Sequence, residues 1–98
     1  YGVPLYITEN GTTTACDQER ASYLVSHLAA VHRAISEGID VRGYYYWSSL
    51  DNFEWAEGYR ARFGLIEVDF KTQKRRIRPS GKLYARIAKQ NALPERTF

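Results

Sequence analysis

The chain carries one cysteine, Cys16, in 98 residues. A lone thiol closes no internal disulfide, and no metal-ligand spacing accompanies it, so a free thiol in a loop is expected and neither metal nor cofactor is called for. Methionine is absent, and the chain opens on Tyr1 with a strand-like stretch. That opening reads as cut from something longer, so the lack of a signal peptide leaves the compartment open, with cytoplasmic as the working expectation. No apolar run approaches the length of a bilayer span. Internal repeats and low-complexity segments are also missing. The net charge of +3 is modest, and the only basic cluster is Lys71, Lys74, Arg75, Arg76 and Arg78. No nucleic-acid motif goes with it, and a solvated hairpin tip is the expectation. What is present, 44% hydrophobic and 14% aromatic residues, makes a single small globular unit at most.

The aromatics concentrate in Tyr44 to Tyr59, where Glu54 stands between Phe53 and Trp55. An acid among rings needs a polar partner. A sugar is one: its C–H face stacks on an indole while its hydroxyls donate to a carboxylate. The plainer reading is an aromatic core strand followed by a solvated turn. A second feature favours the sugar. Tyr6-Ile-Thr-Glu-Asn-Gly11 is a hydrophobic strand that ends at an acid and a glycine turn, the place where α/β enzymes keep their chemistry.

In chain order, Tyr1 to Thr8 reads as a parallel strand buried on two faces. Alternation places Glu9 on the face of Val3, Leu5 and Ile7. Asp17 is the expected N-cap of a helix. Ala21, Leu24, Val25, Leu28, Val31, His32 and Ile35 form its apolar stripe, and Gly38 closes it. His27 and His32 lie five apart, off a shared face, and take no function. Val41 to Trp47 returns as a second strand, with Gly43, Tyr45 and Trp47 on one side and Tyr44 and Tyr46 on the other. Strand, helix, strand is a right-handed crossover, so the two strands should be parallel and their ends should share one rim. That brings Glu9 and the Trp47 to Trp55 loop together. Phe63 to Phe70 reads as a further extended segment, Lys71 to Lys74 as its turn, and Pro79-Ser80 as the start of a last helix with Leu83, Tyr84, Ile87 and Ala88 inward. Two strands and two helices cannot cover these faces alone, so a larger sheet, most simply a closed barrel, is expected.

Ile7-Thr-Glu-Asn-Gly11, then Trp47-Ser-x-Leu-Asp-Asn-Phe-Glu-Trp55, Gly58-Tyr59 and Arg62-Phe-Gly-Leu65, resemble the C-terminal part of family 1 glycoside hydrolases, the retaining β-glucosidases, β-galactosidases and phospho-β-glycosidases. The resemblance covers nearly the whole chain in the family's order. The helix and the Val41-Arg-Gly-Tyr44 stretch look most like the archaeal and related bacterial branch. The resemblance implies an α/β fold, a (β/α)8 barrel, of which residues 1–98 are the C-terminal quarter: Tyr1 to Asn10 strand seven, Asp17 to Glu37 helix seven, Val41 to Trp47 strand eight, Pro79 to Asn91 helix eight. It also implies that Glu9 is the catalytic nucleophile and that Trp47 is the platform under the glycone. Glu54 would accept from the O4 and O6 hydroxyls, the Trp55 indole N–H would reach another, and Phe63 would line the pocket. Asp51 and Asn52 would be structural. Ser49 departs from the family's more usual leucine, and the Thr12 to Cys16 loop is short.

Retention needs two carboxyl groups roughly 5–5.5 Å apart across the anomeric carbon. The family's acid/base sits in an Asn-Glu-Pro motif that this chain lacks. The expected partners are a β-glycoside or oligosaccharide and the rest of the barrel, with no nucleic acid and no membrane. Homo-oligomerisation of the full-length enzyme stays open. The competing readings are a non-catalytic carbohydrate-binding fragment and a basic interaction domain.

Overall fold

The computed structural model describes residues 2–95. Its first unit is strand β1 (Leu5–Ile7), helix α1 (Asp17–Ser36) and strand β2 (Val41–Tyr44), and the two strands pair in parallel. The apolar spacing of α1 explains the crossover. Ala21, Leu24 and Val25 are buried and Leu28 packs beside them, against Tyr46, Leu65 and Leu83. Beyond Leu28 the expected stripe runs out into the open: His32 and Ile35 are exposed and line an apolar groove between α1 and the last helix. Gly38, at φ 94°, takes the left-handed turn that ends α1.

A 3-10 turn (Trp55–Glu57) follows, and then strands β3 (Ile66–Val68) and β4 (Arg75–Ile77) form an antiparallel hairpin. Helix α2 (Pro79–Gln90) lies against α1. The expected split of the aromatic strand holds. Tyr44 and Tyr46 turn toward the helices, with ring centroids 6.2 and 6.3 Å from Tyr84, while Tyr45 is 60% exposed on the other side. Gly43 leaves room on that open side for the Tyr6 ring, which a Cβ would meet at 2.5 Å. Tyr6 and Trp47 are exposed as well. Among the described residues, this sheet face has no covering layer.

Two further expectations about these elements are corrected. Asp17 does not cap α1; Cys16 holds that position without a side-chain bond. The Asp17 carboxylate instead accepts the Ser80 N–H at 2.8 Å and the Ser80 hydroxyl at 2.7 Å, so it satisfies an orphan donor at the start of α2. Its third partner is Arg20, 2.7 Å away and itself 1% exposed. Arg20 also donates to the Thr14 and Arg62 carbonyls. A charge on the inner face of α1 thus ties the helix to two loops.

The second correction is the alternation through Glu9. The Ile7 carbonyl accepts the Tyr45 N–H, but the next ladder bond runs from Trp47 N–H to the Asn10 carbonyl. Three residues on one strand oppose two on the other, which is a bulge. Asn10, rather than Glu9, therefore joins Ile7 on the helix side, where its amide meets the hydroxyls of Tyr44 and Tyr23.

Candidate active site

The parallel ladder does bring the two rims together. Trp47 N–H bonds the Asn10 carbonyl at 2.9 Å, one residue past Glu9. Gly11 sits so close to this junction that a Cβ would lie 1.7 Å from the Trp47 carbonyl oxygen. Here the glycine is required by approach. Gly11→Ala should therefore push the strand ends apart: we expect a shifted tryptophan fluorescence and a lowered unfolding midpoint. Unchanged emission together with an unchanged unfolding midpoint would contradict that close packing.

Glu9 is exposed, and among the described residues its carboxylate has no hydrogen bond or ion pair. Trp47 is 38% exposed, and its indole N–H donates to Glu54 Oε2 at 3.3 Å. The predicted platform and the predicted sugar-binding acid are thus in contact. Phe63 is half-buried, and its carbonyl accepts the Ser48 N–H at 3.3 Å, which places it beside the cis peptide bond between Trp47 and Ser48. Trp55 follows Glu54 at the start of the 3-10 turn with φ 50° and is 84% exposed. Its side chain meets no polar partner among the described residues. Trp47, Glu54 and Phe63 form one neighbourhood, Glu9 adjoins it through Asn10, and Trp55 stands at its outer edge. The surface offers stacking faces, one half-engaged carboxylate and one unengaged carboxylate. Among the described residues, no group of three His, Cys, Asp or Glu comes together to hold a metal.

The loop carrying Trp47 to Glu54 is anchored from below by Asp51, whose side chain is fully buried. Asp51 accepts the Gly64 N–H at 2.9 Å, the Val68 N–H at 3.3 Å, Arg62 at 3.1 Å and both terminal nitrogens of Arg78 at 2.9 Å. Burial by itself would raise its pKa. Hydrogen bonds from Arg78, Gly64 and Arg62 outweigh that cost and hold the carboxyl below its usual range. Asn52 closes the same turn, donating to Ser48 Oγ at 3.1 Å and the Leu50 carbonyl at 2.8 Å. The structural role expected for both residues is what their contacts provide.

The basic cluster is redefined by this anchor. Arg78 is not part of a solvated tip: its side chain is 11% exposed and serves Asp51 and the Gly64 carbonyl. Arg76 pairs with Glu67 at 2.9 Å. Lys71, Lys74 and Arg75 remain exposed at the hairpin. Arg78, Arg62 and the buried Arg20 are the residues that sequence reasoning missed. The only signal was an aspartate in an aromatic loop that required buried donors.

Known proteins share both the sequence and the fold of this chain. The β-galactosidase of Sulfolobus acidocaldarius is 50% identical over 95 residues, covering 97% of this chain and 19% of that enzyme. β-Glucosidase A of Thermotoga maritima is 45% identical over 100 residues, covering 93% of this chain and 22% of that enzyme. The solved structure of a Thermotoga maritima β-glucosidase in complex with glucoimidazole superimposes with a TM-score of 0.91 at 45% identity, over 93% of this chain and 23% of the other. These neighbours are (β/α)8 barrels. The chain spans about a fifth of the length of the curated relatives it matches. Residues 1–93 match the model of glycosyl hydrolase family 1, and with these relatives at 45–50% identity the chain belongs to glycosyl hydrolase family 1.

Proposed function

We propose that this chain supplies the nucleophile and part of the glycone pocket of a retaining β-glycosidase of the β-glucosidase or β-galactosidase type. In this reading residues 1–98 are the C-terminal quarter of the barrel, strands seven and eight with their helices. Glu9 attacks the anomeric carbon as the glycosidic oxygen leaves, and water then releases the sugar from the resulting ester. The carboxylic acid that protonates the leaving oxygen, and afterwards activates the water, comes from outside these 98 residues. Trp47 underlies the sugar ring, Glu54 accepts from its hydroxyls, and Trp55 and Phe63 border it.

The observation that carries this reading is the rim: an unengaged carboxylate at a strand end, joined through Asn10 to an indole already bonded to Glu54. The 3.3 Å contact leaves the second Glu54 oxygen for a sugar hydroxyl. A basic interaction domain is less well supported, because Arg78 and Arg76 are engaged by Asp51 and Glu67.

The test grafts this chain in place of the matching segment of the Thermotoga maritima β-glucosidase. Trp47→Ala should raise KM for an aryl β-glucoside about tenfold or more through lost stacking. Glu54→Ser should shift the ranking of glucosides, galactosides and 6-phospho-glucosides. Unaltered KM in the first variant and unaltered ranking in the second would remove the glycone-site assignment.

A further inference from the structure

The Glu9 carboxylate has no hydrogen bond or ion pair among the described residues, although a nucleophile must be held to about half an ångström of its working position. Within these residues, the contacts that can steer it belong to its neighbour. The Asn10 carbonyl accepts Trp47 N–H at 2.9 Å, its Oδ1 accepts the Tyr44 hydroxyl at 2.8 Å, and its Nδ2 donates to the Tyr23 hydroxyl at 3.3 Å. Tyr44 lies on β2 and Tyr23 on α1, so one amide is pinned by both elements that flank β1.

The bulge makes this pinning consequential. An extra residue in a strand has no ladder bond to fix its rotation, and here the extra residue falls in the Thr8 to Asn10 step. We propose that Asn10 is the positioning residue for Glu9: its amide, clamped between the Tyr44 and Tyr23 hydroxyls, sets the bulge and with it the direction of the Glu9 carboxylate. The inference rests on the reading of Glu9 as nucleophile. An amide suits the place because it accepts from one hydroxyl and donates to the other, which neither a carboxylate nor an apolar side chain can do. Burial pushes the Tyr44 hydroxyl's pKa up, so it remains a proton donor.

The grafted enzyme described above tests this directly. Asn10→Ala should lower kcat on an activated aryl β-glucoside about 10- to 100-fold, as small misplacements of reacting groups do. KM should stay within about threefold, because sugar binding is untouched. The decisive readout is a Glu9→Gly background supplied with azide, which bonds to the anomeric carbon as the aryloxide departs. With no Glu9 left to aim, adding Asn10→Ala should leave the azide-dependent rate unchanged. If Asn10→Ala slows that reaction by the same factor as it slows the parent, Asn10 does not act through Glu9 and the proposal is overturned. Should Asn10→Ala fail to fold by circular dichroism, Tyr44→Phe keeps the ring and removes the donor. It should lower kcat several-fold with KM preserved, and an unchanged kcat overturns the clamp. Full activity in Glu9→Gln is a separate result, and it removes the nucleophile reading itself.

Discussion

In the grafted enzyme, Glu9→Gln is expected to lower aryl β-glucoside hydrolysis by roughly 10,000-fold or more, the scale seen when a covalent nucleophile is removed. Glutamine keeps the shape of the side chain and the backbone geometry of the bulge. What it loses is the ability to form the glycosyl ester. Affinity for a glucose-like inhibitor should survive, because Trp47 and Glu54 contact each other without help from Glu9. The measurement is a pair: kcat by aryloxide release and the inhibitor Kd by tryptophan fluorescence. Substantial hydrolysis with intact binding would place the nucleophile elsewhere. Lost binding with lost activity would mean that the substitution had disturbed the rim.

Asp51→Asn should be the most damaging substitution for stability, at about 3–5 kcal/mol, because it leaves Arg78 and Arg62 facing each other without their shared anion. Arg62 and Arg78 are 36% and 11% exposed while Asp51 is fully buried, so the unpaired charge is only partly rescued by water. The pH dependence follows with a definite sign. Both Asp51 and Asp17 have folded-state pKa values below the ordinary carboxylate range, despite burial that opposes this. Their stabilisation is therefore complete above the unfolded value of about 3.9 and is lost as pH falls through the lower folded values. The unfolding midpoint should drop in acid for the parent, and Asp51→Asn should flatten that drop. A midpoint for Asp51→Asn equal to the parent at neutral pH would show that the loop is held by other contacts.

Much of this architecture was legible in the residues. The 3.6-residue spacing from Ala21 to Leu28 reports one buried face, and the alternation of Tyr44, Tyr45 and Tyr46 reports the two sides of a strand, because both follow from local geometry. The bulge at Thr8 to Asn10 was not legible. It depends on which carbonyl of β1 meets which N–H of β2, a property of the pair and not of either strand. Asp17 looked like a local cap because aspartate caps helices, yet its partner is Ser80, brought in by the packing of two helices. Arg78 looked like surface charge because it closes a run with four other basic residues just before it in the chain. Burial is decided in three dimensions, and there Asp51 claims it. The candidate stretches were singled out through chemistry, because an acid among rings and an acid at a strand end each need an explanation; the role proposed for each residue came from the family resemblance. The structure sets Glu54 against Trp47, whereas Trp55 is left far more exposed than a pocket wall.

If Glu9 is the nucleophile, it becomes covalently bonded to the sugar during turnover. A 2-deoxy-2-fluoro-β-glucoside with a good leaving group slows the second step more than the first, so the ester accumulates in a retaining enzyme. The grafted enzyme would be treated with this reagent, digested, and its peptides sequenced by mass spectrometry. One fluoroglucosyl group, carried on Glu9, is the expected result. A label on any other residue, or steady turnover of the natural substrate with no label formed, would contradict it.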